Sequence, residues 1–304
     1  MKKIQFVFVL VTSLISFQNP ATAKGLHKTF LPPNQLHLMD RFDGSSNIDQ
    51  ALFEQISDEA INFFQTYANL HKGKLTVNKL WDDSTVNASA EQDEAGTDWT
   101  VNMYGGLARR LEVTPDGFRL VVCHELGHHF GGFAYYSDTP WAAAEGQSDY
   151  FATQACAKAM WADQAEENAK HRDKVAASAK TRCDKAWSSV KEQNLCYRIA
   201  DAGLSLANLL AALGGDKAPK FETPDTSKVS TTYEGHPAAQ CRLDTYLSGG
   251  LCKATFDLRV IPGRNNGDGQ GSIAAEKDAA QYNCTASGGF KEGLRPACWF
   301  KARL

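Results

Sequence analysis

From Ile48 the apolar residues Leu52, Phe53, Ile56, Ala60, Ile61 and Phe64 fall three and four apart, a spacing that predicts a helix running to about Leu70. The pattern then changes period. Leu75 to Trp81 alternates apolar and polar residues as a half-buried strand does, and two further short runs, Thr85 to Ala90 and Trp99 to Tyr104, lie either side of the polar loop 91–98. Together they predict a small antiparallel sheet of two or three strands. Thr114-Pro115 carries a helix-start signal and Gly131-Gly132 a stop, so the apolar stretch between them predicts a buried helix. Thr139 as N-cap with Pro140 in the first turn predicts the next helix, reaching Ala152. Residues 157–200, rich in alanine and mixed charge, read as one or two long helices with solvated faces, and Asp201 to Leu213 as another, ended by Gly214-Gly215. A polar loop with two prolines spans 216–235, and the remainder starts helical and becomes glycine-rich. There Asn265 to Gly269 reads as a turn, and Trp299-Phe300 as core packing. The predicted class is α+β and mainly helical, with a small sheet.

The first 23 residues follow another logic. Lys2 and Lys3, the apolar run Ile4 to Phe17 and Ala21-Thr22-Ala23 match the three regions of a signal peptide. Its core, and every later apolar run, falls short of the about 18 residues that cross a bilayer. The expectation is an exported protein, periplasmic or secreted, with no membrane span in the mature chain. Residues 24–47, with Pro32-Pro33, read as an extended leader to one domain, 24–304. Within it, 48–156 would hold the sheet and the buried helix, 157–235 a helical insertion and loop, and 236–304 a cysteine-containing C-terminal part. The formal net charge of −3 gives no basis for a nucleic-acid partner. Eight cysteines, all beyond residue 23, match an oxidising compartment. Their spacing makes Cys183 with Cys196 and Cys284 with Cys298 plausible local pairs. No Cys-x-x-Cys pair occurs to suggest a cysteine zinc site.

The chemistry concentrates in the buried helix, where His124-Glu125-Leu126-Gly127-His128 spells His-Glu-x-x-His. Residues four apart share a helix face, so His124 and His128 can offer two imidazole nitrogens to one zinc ion. Glu125, one step round, is placed to act as general base on a water. Cys123 is turned about 100° from its neighbour His124, so it packs or pairs rather than binding metal. A metzincin would carry a third histidine at position 134, which is alanine here. Glu145 and Asp149, four apart in an alanine and aromatic run, supply the alternative. Glu145 reads as the oxygen ligand, and Asp149 as acceptor for the outer nitrogen of a ligand histidine, most simply His124.

This arrangement resembles the gluzincin metallopeptidases, and among them the HtpX-like and CAAX-prenyl-endopeptidase-like family. Val86-Asn87-Ala88-Ser89-Ala90 is similar to that family's Asn-Ala-x-Ala edge strand, and His236-Pro237 with Arg242 to its late His-Pro motif. The match covers roughly residues 75–245. It implies a zinc endopeptidase whose peptide substrate adds a strand along Asn87, Ala88, Ser89 and Ala90. It also implies that His236 stabilises an oxyanion or competes for the metal, and that Arg242 orients a carboxylate or helps bind the transition state. Two other readings stay open: a catalytically idle, zinc-stabilised binding or chaperone-like module, and cleavage of cell-wall peptides.

Overall fold

The structure, a computed structural model, describes residues 27–39 and 46–304. The expected signal peptide, 1–23, lies outside the described residues. The elements in chain order are β1 (His27–Thr29), α1 (Gln50–Leu70), β2 (Lys74–Leu80), β3 (Ala88–Gln92), β4 (Asp98–Tyr104), α2 (Gly105–Ala108) and α3 (Pro115–Phe130). There follow α4 (Glu145–Phe151), a π-helical turn (Ala152–Cys156), α5 (Ala157–Trp161), α6 (Ala165–Ala169) and α7 (Ala177–Ala186). The last are α8 (Val190–Gly214), α9 (Ala239–Leu251) and α10 (Ile273–Ala279). Among the described residues the fold is mixed α and β, with one four-stranded sheet.

The helix periods translate directly into burial. In α1, capped by the Asp49 carboxylate on Leu52 N, residues Phe53, Ile56, Ala60, Phe64 and Ala68 form the inward stripe. In α3 the Thr114 hydroxyl accepts from Gly117 N and Pro115 opens the first turn, as expected. This helix is buried on all sides from Phe118 to Phe130 apart from Arg119, so every polar group on it must find a partner inside the protein.

The sheet departs from expectation in two ways. Its order is β1-β3-β4-β2, and β2 pairs parallel with β4, whereas an all-antiparallel sheet was expected. The residues that β3 adds between β2 and β4 carry the chain back, so both can run the same way. The second difference concerns the expected edge. Ala88, Ser89 and Ala90 sit in β3, hydrogen-bonded to β4 on one side and to β1 on the other. Asn87 precedes the strand, and its side chain clamps Leu31, accepting from Leu31 N at 2.9 Å and donating to Leu31 O at 3.3 Å. The edge is therefore occupied by the chain's own N-terminal segment, which satisfies backbone groups that would otherwise be bare.

Helix boundaries also moved. Thr139 and Pro140 do not start a helix; α4 begins at Glu145 with Ala144 at its N-cap. The intervening segment stays extended because it is used for pairing: Tyr135 bridges to Ala143, and Ala143 N donates to His128 O. Residues 157–189 form short helices rather than long ones. Asp201 to Leu213 is the second half of α8, which Ser189 caps and Gly215, with a left-handed φ of 71°, ends. Trp299 and Phe300 are buried as expected.

Four disulfides join all eight cysteines: Cys123–Cys156, Cys183–Cys196, Cys241–Cys298 and Cys252–Cys284. Cys183–Cys196 was expected; Cys284–Cys298 was not found, because α9 brings Cys241 and Cys252 to these partners from far along the chain. Two of the bonds bear on the candidate site. Cys123, beside His124, ties α3 to the end of the π turn, and Cys241, beside Arg242, ties α9 to the C-terminal segment.

Candidate metal centre

The centre forms where α3 and α4 cross. Their approach needs Gly127: a Cβ there would stand 2.8 Å from Ser148 Cα. With nothing in the way, one turn of α3 and the first turn of α4 face each other. His124, His128 and Glu145 then offer ligand atoms that all lie within 4.8 Å of one another, and all three residues are fully buried. His124 Nε2 is 3.2 Å from Glu145 Oε2, and His128 Nε2 is 3.6 Å from Glu145 Oε1.

The outer nitrogens are already committed. His124 Nδ1–H donates to Asp149 Oδ1 at 2.8 Å, and His128 Nδ1–H donates to Ala143 O at 2.8 Å, with Ser148 Oγ 3.0 Å away. Each imidazole therefore turns its Nε2 inward, the orientation that a metal-binding histidine adopts. Asp149 is held in turn by Arg242, whose Nε and Nη2 donate to its two oxygens at 2.6 and 2.7 Å. Arg242 Nη1 donates to Phe30 O at 2.8 Å, and the Phe30 ring meets His124 edge-on at 5.2 Å. Arg242 thus reaches His124 through Asp149.

Five polar atoms in this space have no hydrogen-bond partner although they are sealed from solvent: His124 Nε2, His128 Nε2, Glu145 Oε2 and both oxygens of Glu125. An orphan of this kind costs about 1–3 kcal/mol, more if charged; the 3.2 Å ion pair of His124 Nε2 with Glu145 Oε2 offsets part of that, and the rest calls for an occupant. A tetrahedral zinc ion with bonds of about 2.0–2.1 Å holds its ligand atoms roughly 3.3–3.4 Å apart, which fits the two distances above. Two imidazoles and a carboxylate can hold a metal ion here. A second grouping, Asp225 with Cys241 and Cys298, cannot offer thiolates because the two sulfurs are bonded to each other.

Burial pushes Glu125 up to about 8 and His128 down to about 3. Burial also works against a charged His124, but Asp149 and Glu145 outweigh it and push this imidazole up to about 9. Glu145, despite burial, is held well below the usual carboxylate range by His236, His128 and His124. A bound dication would displace the proton from His124 and favour ionised Glu125.

Of the residues expected at the site, His124, Glu125, His128, Glu145, Asp149, His236 and Arg242 come together. His236 Nε2 lies 3.5 Å from Glu145 Oε2 and donates to Thr29 O at 2.7 Å; burial lowers its pKa. Asn87 to Ala90 do not form a free edge: they are paired with β1 and the residues that follow it. Several contributors had no readable signal. Tyr136, in an irregular segment, donates to Glu145 Oε1 at 2.7 Å, and Lys28 lies over its ring at 3.6 Å. Thr29 and Phe30, in what reads as a plain leader, cover the centre. Among the described residues no helix is long and apolar enough to cross a membrane.

No protein-family model matches the chain, and no curated protein or solved structure matches it.

Proposed function

We propose that this chain is an exported zinc-dependent endopeptidase of the gluzincin type. The observation that carries the reading is the convergence of His124, His128 and Glu145, with the buried, unpartnered Glu125 carboxylate close enough to feel the charges of His124 and Glu145. A purely structural zinc site is closed by four protein ligands and has no use for a free carboxylate beside it. The four disulfides favour an oxidising destination.

In this reading His124, His128 and Glu145 hold zinc, which when bound supplies Lewis acidity for a peptide carbonyl and acidifies a water. Glu125 takes the proton of the attacking water and returns it to the departing amine. The chain Arg242–Asp149–His124 fixes the tautomer and tilt of one ligand, and Ala143 O does the same for His128. Tyr136 steadies Glu145. His236 Nε2–H, now spent on Thr29 O, would serve a developing oxyanion once that carbonyl is gone. A peptide substrate would lie along β3 in the lane β1 now fills, antiparallel, with main-chain hydrogen bonds to Ala88 and Ala90.

That same covering favours a second reading, the catalytically idle zinc-stabilised module, since a sealed centre admits no peptide. One comparison separates the two: digestion of a broad peptide library by the wild-type chain, by Glu125→Gln and by a chain beginning at Pro32. The enzyme reading expects cleavage that Glu125→Gln abolishes. Identical patterns from all three, or none from any, would leave the idle module.

A further inference from the structure

The segment that closes the metal centre is held there largely by its main chain. His27, Lys28 and Thr29 pair with Glu91, Ala90 and Ser89 in antiparallel register, and Phe30 N donates to Ala88 O at 3.1 Å. The site adds two bonds to the same backbone: His236 Nε2 donates to Thr29 O at 2.7 Å and Arg242 Nη1 to Phe30 O at 2.8 Å. All of these use atoms that any peptide carries, so a peptide taking this lane can make them whatever its sequence. Selection must then come from side chains.

Side chains two apart on a strand share a face, and here Lys28 and Phe30 both meet built surroundings. The Lys28 ammonium lies 3.6 Å from the centre of the Tyr136 ring and donates to Asp138 Oδ1 at 3.1 Å. Its side chain is only 12 % exposed, so the stem runs along protein rather than through water. Tyr136 in turn donates to Glu145 Oε1 at 2.7 Å, which sets this cation slot against the centre itself. Phe30 is fully buried. Its ring meets His124 edge-on at 5.2 Å and lies 4.5 Å from the Arg242 guanidinium. A slot of that kind, emptied of its ring, is a void that another large apolar side chain must refill. His27, on the other face, makes only a half-exposed pair with Glu91, which discriminates little.

We propose that Lys28 and Phe30 occupy the two specificity subsites of this centre, so that its substrates are peptides with a basic residue two positions before a phenylalanine. Asp138 and the Tyr136 ring select the first side chain, and the slot beside His124 and Arg242 selects the second. This preference rests on the peptidase reading for turnover, whereas the subsites are a property of binding and are measurable without it.

The test uses the full chain carrying Glu125→Gln, so that bound peptide is not turned over. Two versions loosen the segment that fills the lane, one by adding Lys28→Glu and one by adding Phe30→Ala; the first alters a residue at the surface and leaves the core intact. The probe is a fluorescently labelled, capped peptide of sequence 26–31, followed by anisotropy. It is expected to bind the loosened chains at least about tenfold more tightly than the chain whose own segment is unaltered. Changing the peptide's lysine to glutamate should weaken binding about tenfold, and changing its phenylalanine to alanine on the order of 10²-fold. Asp138→Lys, at an exposed position, should invert the first preference, so that the glutamate peptide binds better. Equal binding of the three peptides, no binding of any, or a lysine preference that survives Asp138→Lys would overturn the proposal. Digestion of a peptide library separates it from the reading it rests on. Selective binding without cleavage would sink the peptidase and keep the subsites, and cleavage at sites lacking the basic and aromatic pair would do the reverse.

Discussion

Two clusters of buried charge in this protein differ in one respect. Around Asp116, at the start of α3, every ionised atom has a partner. Arg198 donates to both carboxylate oxygens at 2.8 and 2.9 Å and to Gln164 and Asn168, and His171 bridges Asp116 and Asp201 at 3.3 and 2.8 Å. Around His124, about two turns further along the same helix, the outer atoms are equally well bonded but five inner ones have no hydrogen-bond partner. The first cluster is complete and explains itself as structure, joining α3 to α6 and α8. The second is complete only on its outside, which marks a site built around something else. Perturbed pKa values occur in both, so they do not distinguish the two. The orphaned atoms do.

Isosteric substitutions should break the two clusters in different currencies. Glu125→Gln removes a base and no structural contact, so peptide hydrolysis should fall on the order of 10²-fold or more with unfolding unchanged, measured by steady-state cleavage and urea denaturation. Asp116→Asn removes the counter-charge of Arg198 and should cost about 3 kcal/mol in denaturant unfolding while zinc content is unaffected. A loss of stability in Glu125→Gln comparable to that in Asp116→Asn would erase the distinction.

A smaller effect concerns the covering strand. Removing the chain up to Leu31 frees the lane on β3 and the N–H of His236, and peptide cleavage should rise on the order of tenfold, as the competent fraction increases. Equal rates for the trimmed and full chains would show that β1 is no barrier. The smallest effect is on pH. The acids Asp116 and Asp201 raise His171 above its ordinary value of about 6.5 despite burial, so its stabilising charge is fully present below that pH and is lost as pH rises through the raised value. His171→Asn should therefore destabilise more at pH 6 than at pH 9, in paired denaturation curves. Asp116, held low by His171 and Arg198 against burial, contributes above about pH 4 and loses its share only in stronger acid.

The two clusters were also unequally legible. His124, Glu125 and His128 could be read because the helix period alone sets who shares a face. Glu145 and Asp149 yielded to the same rule, even though the start of their helix did not. Thr139-Pro140 has the chemistry of a cap, but Ala143 is needed in extended form to accept from His128, and tertiary demand overrode the local signal. The pairing of Cys284 failed for a related reason: spacing along the chain carries no record of α9 returning past it. The Asp116 network was invisible, because Arg198, His171 and Gln164 lie among charges that look solvated. So was the place of Thr29 and Phe30, since an extended leader has no period to show what it will cover.

The central claim is that the bare atoms of the second cluster are the inner shell of a zinc site. It is tested most directly by elemental analysis of the chain purified without chelator, beside the double variant His124→Ala, His128→Ala. The account expects about one zinc per wild-type chain and none in the variant. A wild-type chain free of metal after exposure to zinc, or a variant that keeps its zinc, would contradict it.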